Sequence, residues 1–147
     1  MAWHRRRDAV ARARAYLRQQ GRGGSATLSP SGYRLARATS LLQLMQSRLS
    51  LALKDYEAAF ADASCSPPLR LGADMNTLKT SVSELCLEVA QHALMICGMN
   101  GYRNGSPFSL GRHIRDLRSA PIMINNDRIL ESTGSLLLMH KPASGGF

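Results

Sequence analysis

Apolar residues recur every three or four positions through most of this chain, and that period belongs to helices rather than strands. Trp3, Val10, Ala13 and Leu17 fall near one stripe and predict a first helix over Trp3 to Gln20, with arginines covering the rest of its surface. That stripe is thin, so the first helix should be the least stable element. Gly21, Gly23 and Gly24 end it and open a connection through Leu28. Ser29-Pro30 offers an N-cap with proline at the first helical position. Leu42, Met45, Leu49, Ala52, Leu53, Tyr56 and Phe60 then mark one face of a long helix that stops near Ala63.

Ser64 to Gly72 holds Pro67-Pro68 and reads as a loop, after which Asp74 can cap a third helix. Its main stripe is Leu78, Val82, Leu85, Val89, Ala93 and Ile96. Leu87, Leu94 and Met95 add a second apolar face to its C-terminal half, which should sit centrally. Gly98 to Gly105 breaks the helix. Ser106-Pro107 restarts a short one through Arg118, Pro121 interrupts it, and a last helix runs from about Ile124 to His140. No strand pattern appears, and the short connections predict an all-α, up-down four-helix bundle. The expected division is a basic first helix with its linker over 1–28, a bundle core over 29–140 and a tail over 141–147.

Composition supports this class. The 147 residues suit one domain with a real core. Aromatics make up only 5 % while methionines number 7, so Leu, Met, Ala and Ile must build the interior. The odd count of 3 cysteines, with Cys86 and Cys97 inside an apolar helical pattern, favours buried free thiols in a reducing compartment. No apolar run is long enough to span a bilayer, and the arginine-rich start lacks the apolar core of a secretory signal, which points to the cytoplasm.

The net charge of +9 is concentrated in the first helix at Arg5, Arg6, Arg7, Arg12, Arg14, Arg18 and Arg22. A basic face attracts nucleic acid, membrane, phosphorylated ligands or acidic proteins, and is equally a solvated surface. A nucleic-acid partner is disfavoured, because no docking motif or interleaved aromatic pattern accompanies the charge.

Few constellations suggest chemistry. Glu84, Glu88 and His92 share a helix face, but at i+4 rather than the i+3 spacing of di-iron bundles, and no second such pair occurs. A solvated polar stripe is the better reading, and no metal site is expected. Cys86, His92 and Cys97 are scattered around their helix. His113 could be a base but reads better as a surface or capping histidine. Arg115-Asp116 reads from spacing as a pair tying the short helix to a neighbour. No GxxxxGK phosphate loop or strand-linked GxGxxG is present.

The stretch "ALMICGMNGY", Ala93 to Tyr102, followed by "RHIRDLRSAPIMINND", resembles the end of the acyl-CoA dehydrogenase family. There a helix closes on A-x-Q-x-x-G-G-x-G and an aromatic residue, a short helix carries R-D, and a turn with E-G-T leads into the last helix. "RARAYLRQQGRGG" and "LALKDYEAAFADA" resemble the first two helices of the same C-terminal bundle, so the likeness covers most of the chain.

That resemblance implies a flavoprotein part. Members bind FAD between their domains and a neighbouring subunit, and this chain matches only the C-terminal bundle. Gly98, Gly101 and Tyr102 keep the family pattern, while Met95 and Met99 replace its glutamine and second glycine. The flavin-phosphate arginine position falls on Gln20, leaving Arg22 or Arg18 as substitutes. The usual proton-abstracting glutamate falls on Ile124, which cannot accept a proton. Asn125 and Asn126 replace Gly and Thr and could hydrogen-bond a phosphate or ribose.

The implied cofactor-binding set is therefore Arg22, Gly98, Gly101, Tyr102, Asn125 and Asn126, with no catalytic residue on this chain. Gly98 and Gly101 would let backbone amides approach a diphosphate, and Arg115-Asp116 would fix the short helix closing the site. The implied function is the C-terminal bundle of a split or truncated acyl-CoA (or acyl-carrier-protein) dehydrogenase, not active alone. It would work within a homo- or hetero-oligomer of related subunits, on a CoA or carrier-protein thioester. The alternative is a non-catalytic oligomerisation module that has lost flavin.

Overall fold

The computed structural model describes residues 2–21, 30–61 and 68–139, with the side chains of Ala2 and Trp3 left out. Those residues form seven helices: α1 (Ala2–Gly21), α2 (Pro30–Ala59), α3 (Leu69–Cys97), α4 (Met99–Tyr102), α5 (Gly111–Arg118), α6 (Ala120–Met123) and α7 (Asn126–Met139). The class is all-α, and no strand occurs among the described residues. No helix there is long and apolar enough to cross a membrane.

α3 is the axis, packing against α1, α2 and α7. Arg37 of α2 pairs with Glu88 while Asp55 and Asp74 line one pocket, so α2 runs antiparallel to α3. Arg6 meets Cys86 while Ala13 packs with Ala93 and Cys97, so α1 runs parallel to it. Asn126 meets Ser83, and Leu136 lies nearest Gly72, so α7 runs back along the N-terminal half of α3. The four long helices thus alternate in direction. α1 and α7 cover different halves of α3, which leaves α2 with a third neighbour only at one end.

The core follows from that placement. Val10, Ala38, Leu41, Met45, Cys86, Val89, Ala90 and Leu117 form one buried cluster. Ala9, Ala13, Ala93, Ile96, Cys97 and Leu110 form a second, towards the end of α3. Small alanines on α1 and α3 let those two backbones approach closely, which is how the thin stripe of α1 is enough to anchor it.

Several boundaries differ from expectation. α3 starts at Leu69, so Asp74 is no cap. It lies inside the helix, 3.7 Å from Arg70 one turn earlier. α5 starts at Gly111, and Ser106-Pro107 stay in the loop, where Ser106 Oγ accepts from Phe108 N at 3.1 Å. Pro121 does not break a helix but opens the separate turn α6, where its missing N–H is not needed. The expected second face of α3 is only half covered, and Met95 is exposed. The stripe at Leu49, Leu53 and Tyr56 is helical but uncovered, as is Phe60 in the turn after α2. α2 ends at Ala59, a little before the expected stop near Ala63, and Gly21 is the last residue of α1. Arg22, Gly23, Gly24, Ser29 and the tail over 141–147 lie outside the described residues.

Candidate functional site

α3 ends because Gly98 takes φ +54, the left-handed side that favours glycine, while its N–H still donates to Leu94 O at 2.8 Å. Gly101, three residues on, has no such φ. It is buried, and a Cβ built there would sit 2.8 Å from Cys97 Cβ and 3.1 Å from Leu94 Cδ1. Its requirement for glycine is therefore close packing of α4 on the end of α3, not backbone conformation.

The junction turns its amides inward. Gly101 N donates to Gly98 O at 2.9 Å, Tyr102 N to the same oxygen at 3.2 Å, and Arg103 N to Met99 O at 3.0 Å. Leu110 N closes the loop onto Gly101 O at 2.8 Å. The Gly98 and Gly101 amides thus both serve the chain's own carbonyls. The Tyr102 ring is exposed.

α1 holds the loop that follows. Arg12 Nη1 donates to the carbonyls of Pro107 and Ser109 at 3.1 and 3.3 Å, while its Nε lies 3.0 Å from Asp8 Oδ2. Asp8 in turn accepts from His113 Nε2 at 2.6 Å, and His113 is buried. Burial of Asp8 raises its pKa, but the hydrogen bonds from His113 and Arg12, helped by their charges, more than offset that and hold it below its ordinary 3.8. His113 is thus a buried tie between α5 and α1, not the surface or capping residue its spacing suggested.

Asp116 adds a second tie, 3.0 Å from Arg5 Nε and 3.9 Å from Arg112 Nε. The lock on α5 therefore joins Asp116 to Arg5 of α1, while Arg115 is exposed. Tyr16 meets Phe108 edge to face at 5.2 Å and accepts from Gln20 Nε2 at 2.8 Å and Asn100 Nδ2 at 3.5 Å.

Beside this strap runs an open cleft of about 600 Å³ lined by Arg14, Arg18, Gln19 and Phe108, with Ala11 and Ala15 along its floor. Arg14 and Arg18 lie one helical turn apart and are exposed. Neither takes part in an ion pair among the described residues.

The terminal turn is held by hydrogen bonds within the chain. Asn126 is buried. Its Oδ1 accepts from Lys79 Nζ at 2.6 Å and its Nδ2 donates to Ser83 Oγ at 2.9 Å. Lys79 Nζ also donates to Ile124 O. Asn125 Oδ1 accepts from Asp127 N at 2.8 Å and Arg128 N at 3.4 Å, the geometry of an N-cap on α7. Asn126 therefore joins α7 to α3, Asn125 caps the helix, and the Ile124 side chain points into the open with 64 % of its surface exposed.

Lys79 and Ser83 were missed because nothing in one sequence links them to a turn more than forty residues away. Asp8 and Arg12 had a local signal, the i,i+4 pairing of opposite charges on a helix.

Of the remaining polar residues, Glu88 Oε1 lies 3.3 Å from Arg37 Nη2 and 3.6 Å from His92 Nε2, while Glu84 is exposed. Cys97 is buried, which pushes its thiol up against the opposing charge of Arg12.

Comparison with known proteins closes the case for the family. Residues 1–130 match the family model described as acyl-CoA dehydrogenase, C-terminal domain. Neither a curated protein nor a solved structure matches the chain. A match over so much of the chain, on an all-α fold whose third helix ends at the Gly98 turn, means that the chain belongs to the acyl-CoA dehydrogenase C-terminal domain family.

Proposed function

We propose that this chain is the helical C-terminal part of a split or truncated acyl-CoA (or acyl-carrier-protein) dehydrogenase. It serves subunit assembly and lends one wall to an FAD site that another polypeptide completes. The observation that carries this reading is the cleft of Arg14 and Arg18 beside Phe108. Two unpaired guanidinium groups one turn apart suit a diphosphate, and an aromatic edge suits the ring system attached to it. Arg22 belongs to the same proposal as a further cation.

The residues drawn from the family pattern divide by role. Gly98, Gly101 and Asn126 shape the wall, because their polar groups are already engaged within the chain. The Tyr102 ring and the Asn125 Nδ2 group are the ones still open to a ligand. FAD, when bound, would accept the hydride from the acyl β-carbon. Ile124, which stands at the family's base position, cannot remove the α-proton. That base therefore comes from outside this chain.

Assembly is supported by the uncovered apolar surface. Leu49, Leu53 and Tyr56 of α2 and Phe60 just after it are about half exposed, as are Leu130 and Met95, and Leu137, Leu138 and Met139 are more so. A groove of about 490 Å³ between α2 and α3 adds Leu44, Leu85, Arg48 and Glu84. Exposed apolar area of this extent suits an interaction surface.

The test is purification of the native assembly followed by its absorption spectrum. A flavin band is expected, and it should fall sharply in the Arg14→Ala/Arg18→Ala variant while the mass of the assembly stays the same. A colourless native assembly sinks the flavin reading. It leaves the second one, a non-catalytic oligomerisation module, which is favoured by the inward-facing junction amides and the isoleucine at the base position.

A further inference from the structure

A separate half-open cavity of about 320 Å³ lies between α1, α2, α3 and the α5–α6 corner. Its walls are mainly apolar, with Leu49, Met75, Val82 and Leu117 among them, yet two cations, Arg6 and Lys79, also line it. No carboxylate is among its lining residues. Leu49 is about half exposed, so the space reaches solvent. The volume is at the lower end of small-molecule sites.

We propose that this cavity binds a small amphipathic anion, an apolar body carrying one carboxylate. The apolar body gains by leaving water against Leu49, Met75, Val82 and Leu117. The head group gains from two positive charges in a setting drier than solvent, where charge-assisted hydrogen bonds are strongest. Lys79 has a donor to give. An ammonium carries three N–H groups, and two of them go to Ile124 O and Asn126 Oδ1. Arg6 is 3 % exposed, and its Nη1 donates to Cys86 Sγ at 3.0 Å and lies 3.5 Å from Met45 Sδ, which places the guanidinium at the cavity floor. Bound there, the anion would also tie the Lys79-held turn between α6 and α7 to α1.

This site shares no lining residue with the Arg14–Arg18 cleft, so it stands or falls apart from the flavin reading. The experiment titrates the full chain with decanoate and, in parallel, with decanol. Calorimetry gives affinity, and methyl resonances of labelled methionine give location. The expected result is saturable one-site binding of decanoate at least tenfold tighter than decanol, with shifts at Met45 and Met75. Lys79→Gln, which keeps a donor but removes the charge, should weaken decanoate about tenfold and leave decanol unchanged.

Absence of decanoate binding overturns the proposal, as does equal affinity for the alcohol or shifts confined to the exposed Met95, Met99 and Met123. An unchanged decanoate affinity in a folded Lys79→Gln variant overturns it too. If that variant does not fold, the ratio of acid to alcohol on the native chain decides.

Discussion

The two ends of the α2–α3 pair are made of similar residues and packed to different degrees. At the junction end, Ala38, Leu41 and Met45 of α2 meet Cys86, Val89 and Ala90 of α3, and Val10 of α1 and Leu117 of α5 cover the seam. At the other end α2 continues the same three- and four-residue spacing through Leu49, Leu53 and Tyr56, with Phe60 in the turn that follows, but each of these stays 46–55 % exposed. The difference lies in the third layer. α1 and α5 cover the junction end, whereas α7 at the far end packs on α3. Two helices alone cannot enclose an apolar stripe, so the far end is where another polypeptide has most to gain.

Truncations at the two ends should differ most. Leu117→Ala removes a fully buried side chain and should cost about 3 kcal/mol, whereas Leu53→Ala should stay within about 0.5 kcal/mol in the isolated chain. Urea unfolding measures both, and equal losses would break the contrast. Leu53→Asp should instead show its effect on the mass of the native assembly, by light scattering.

The junction glycines sharpen the comparison. Gly101→Val forces atoms into Cys97 and Leu94 and should cost about 3 kcal/mol, with Gly101→Ala already clearly destabilised by the contact of its Cβ with Cys97. Gly98→Ala, strained only by its φ, should cost about 1 kcal/mol. The reverse order in denaturant melts would mean that φ, not packing, governs Gly101.

The far end is held to α3 by polar ties as well as packing. Asn126→Ala strips partners from Lys79 and Ser83 and should cost about 2 kcal/mol. Hydrogen exchange should then quicken in α7 while α1 keeps its protection. Uniform loss across the chain would show that the two ends unfold as one unit.

The smallest effect is that of acid. The Asp8 carboxyl titrates below its ordinary 3.8 when folded, so its contribution is complete above that value. It is lost as pH falls from about 3.8 through the lower folded value. Asp8→Asn should flatten this part of the stability–pH curve, read from thermal melts between neutral and acid pH. An unchanged acid limb would remove Asp8 from the α1–α5 tie.

Much of the fold was legible because helices declare themselves locally. The stripe of α3 and the abrupt stop at Gly98 follow from spacing and from glycine's access to positive φ, both properties of a few neighbouring residues. The candidate site was legible in part. The pattern around Gly98, Gly101 and Tyr102 marked the junction, where α3 stops and α4 packs back on it. The direction in which the junction amides point could not be read, because their partners are set by how α4 folds back on Leu94 and Gly98. His113 and Asp8 lie 105 positions apart, a separation at which one sequence carries no pairing signal.

By itself the sequence determined the helical class, the places where most helices break, the excess of positive charge and the isoleucine at position 124 of the terminal turn. These depend on residue type and near neighbours. Tertiary structure alone decided that α1 straps the junction through Asp8, Arg12 and Arg5, and that Asn126 serves α3. It also decided that half of the α2 stripe has no cover. Those outcomes depend on which helix lies over which, and a period of 3.6 residues tells a helix that it has an apolar face without naming what will cover it.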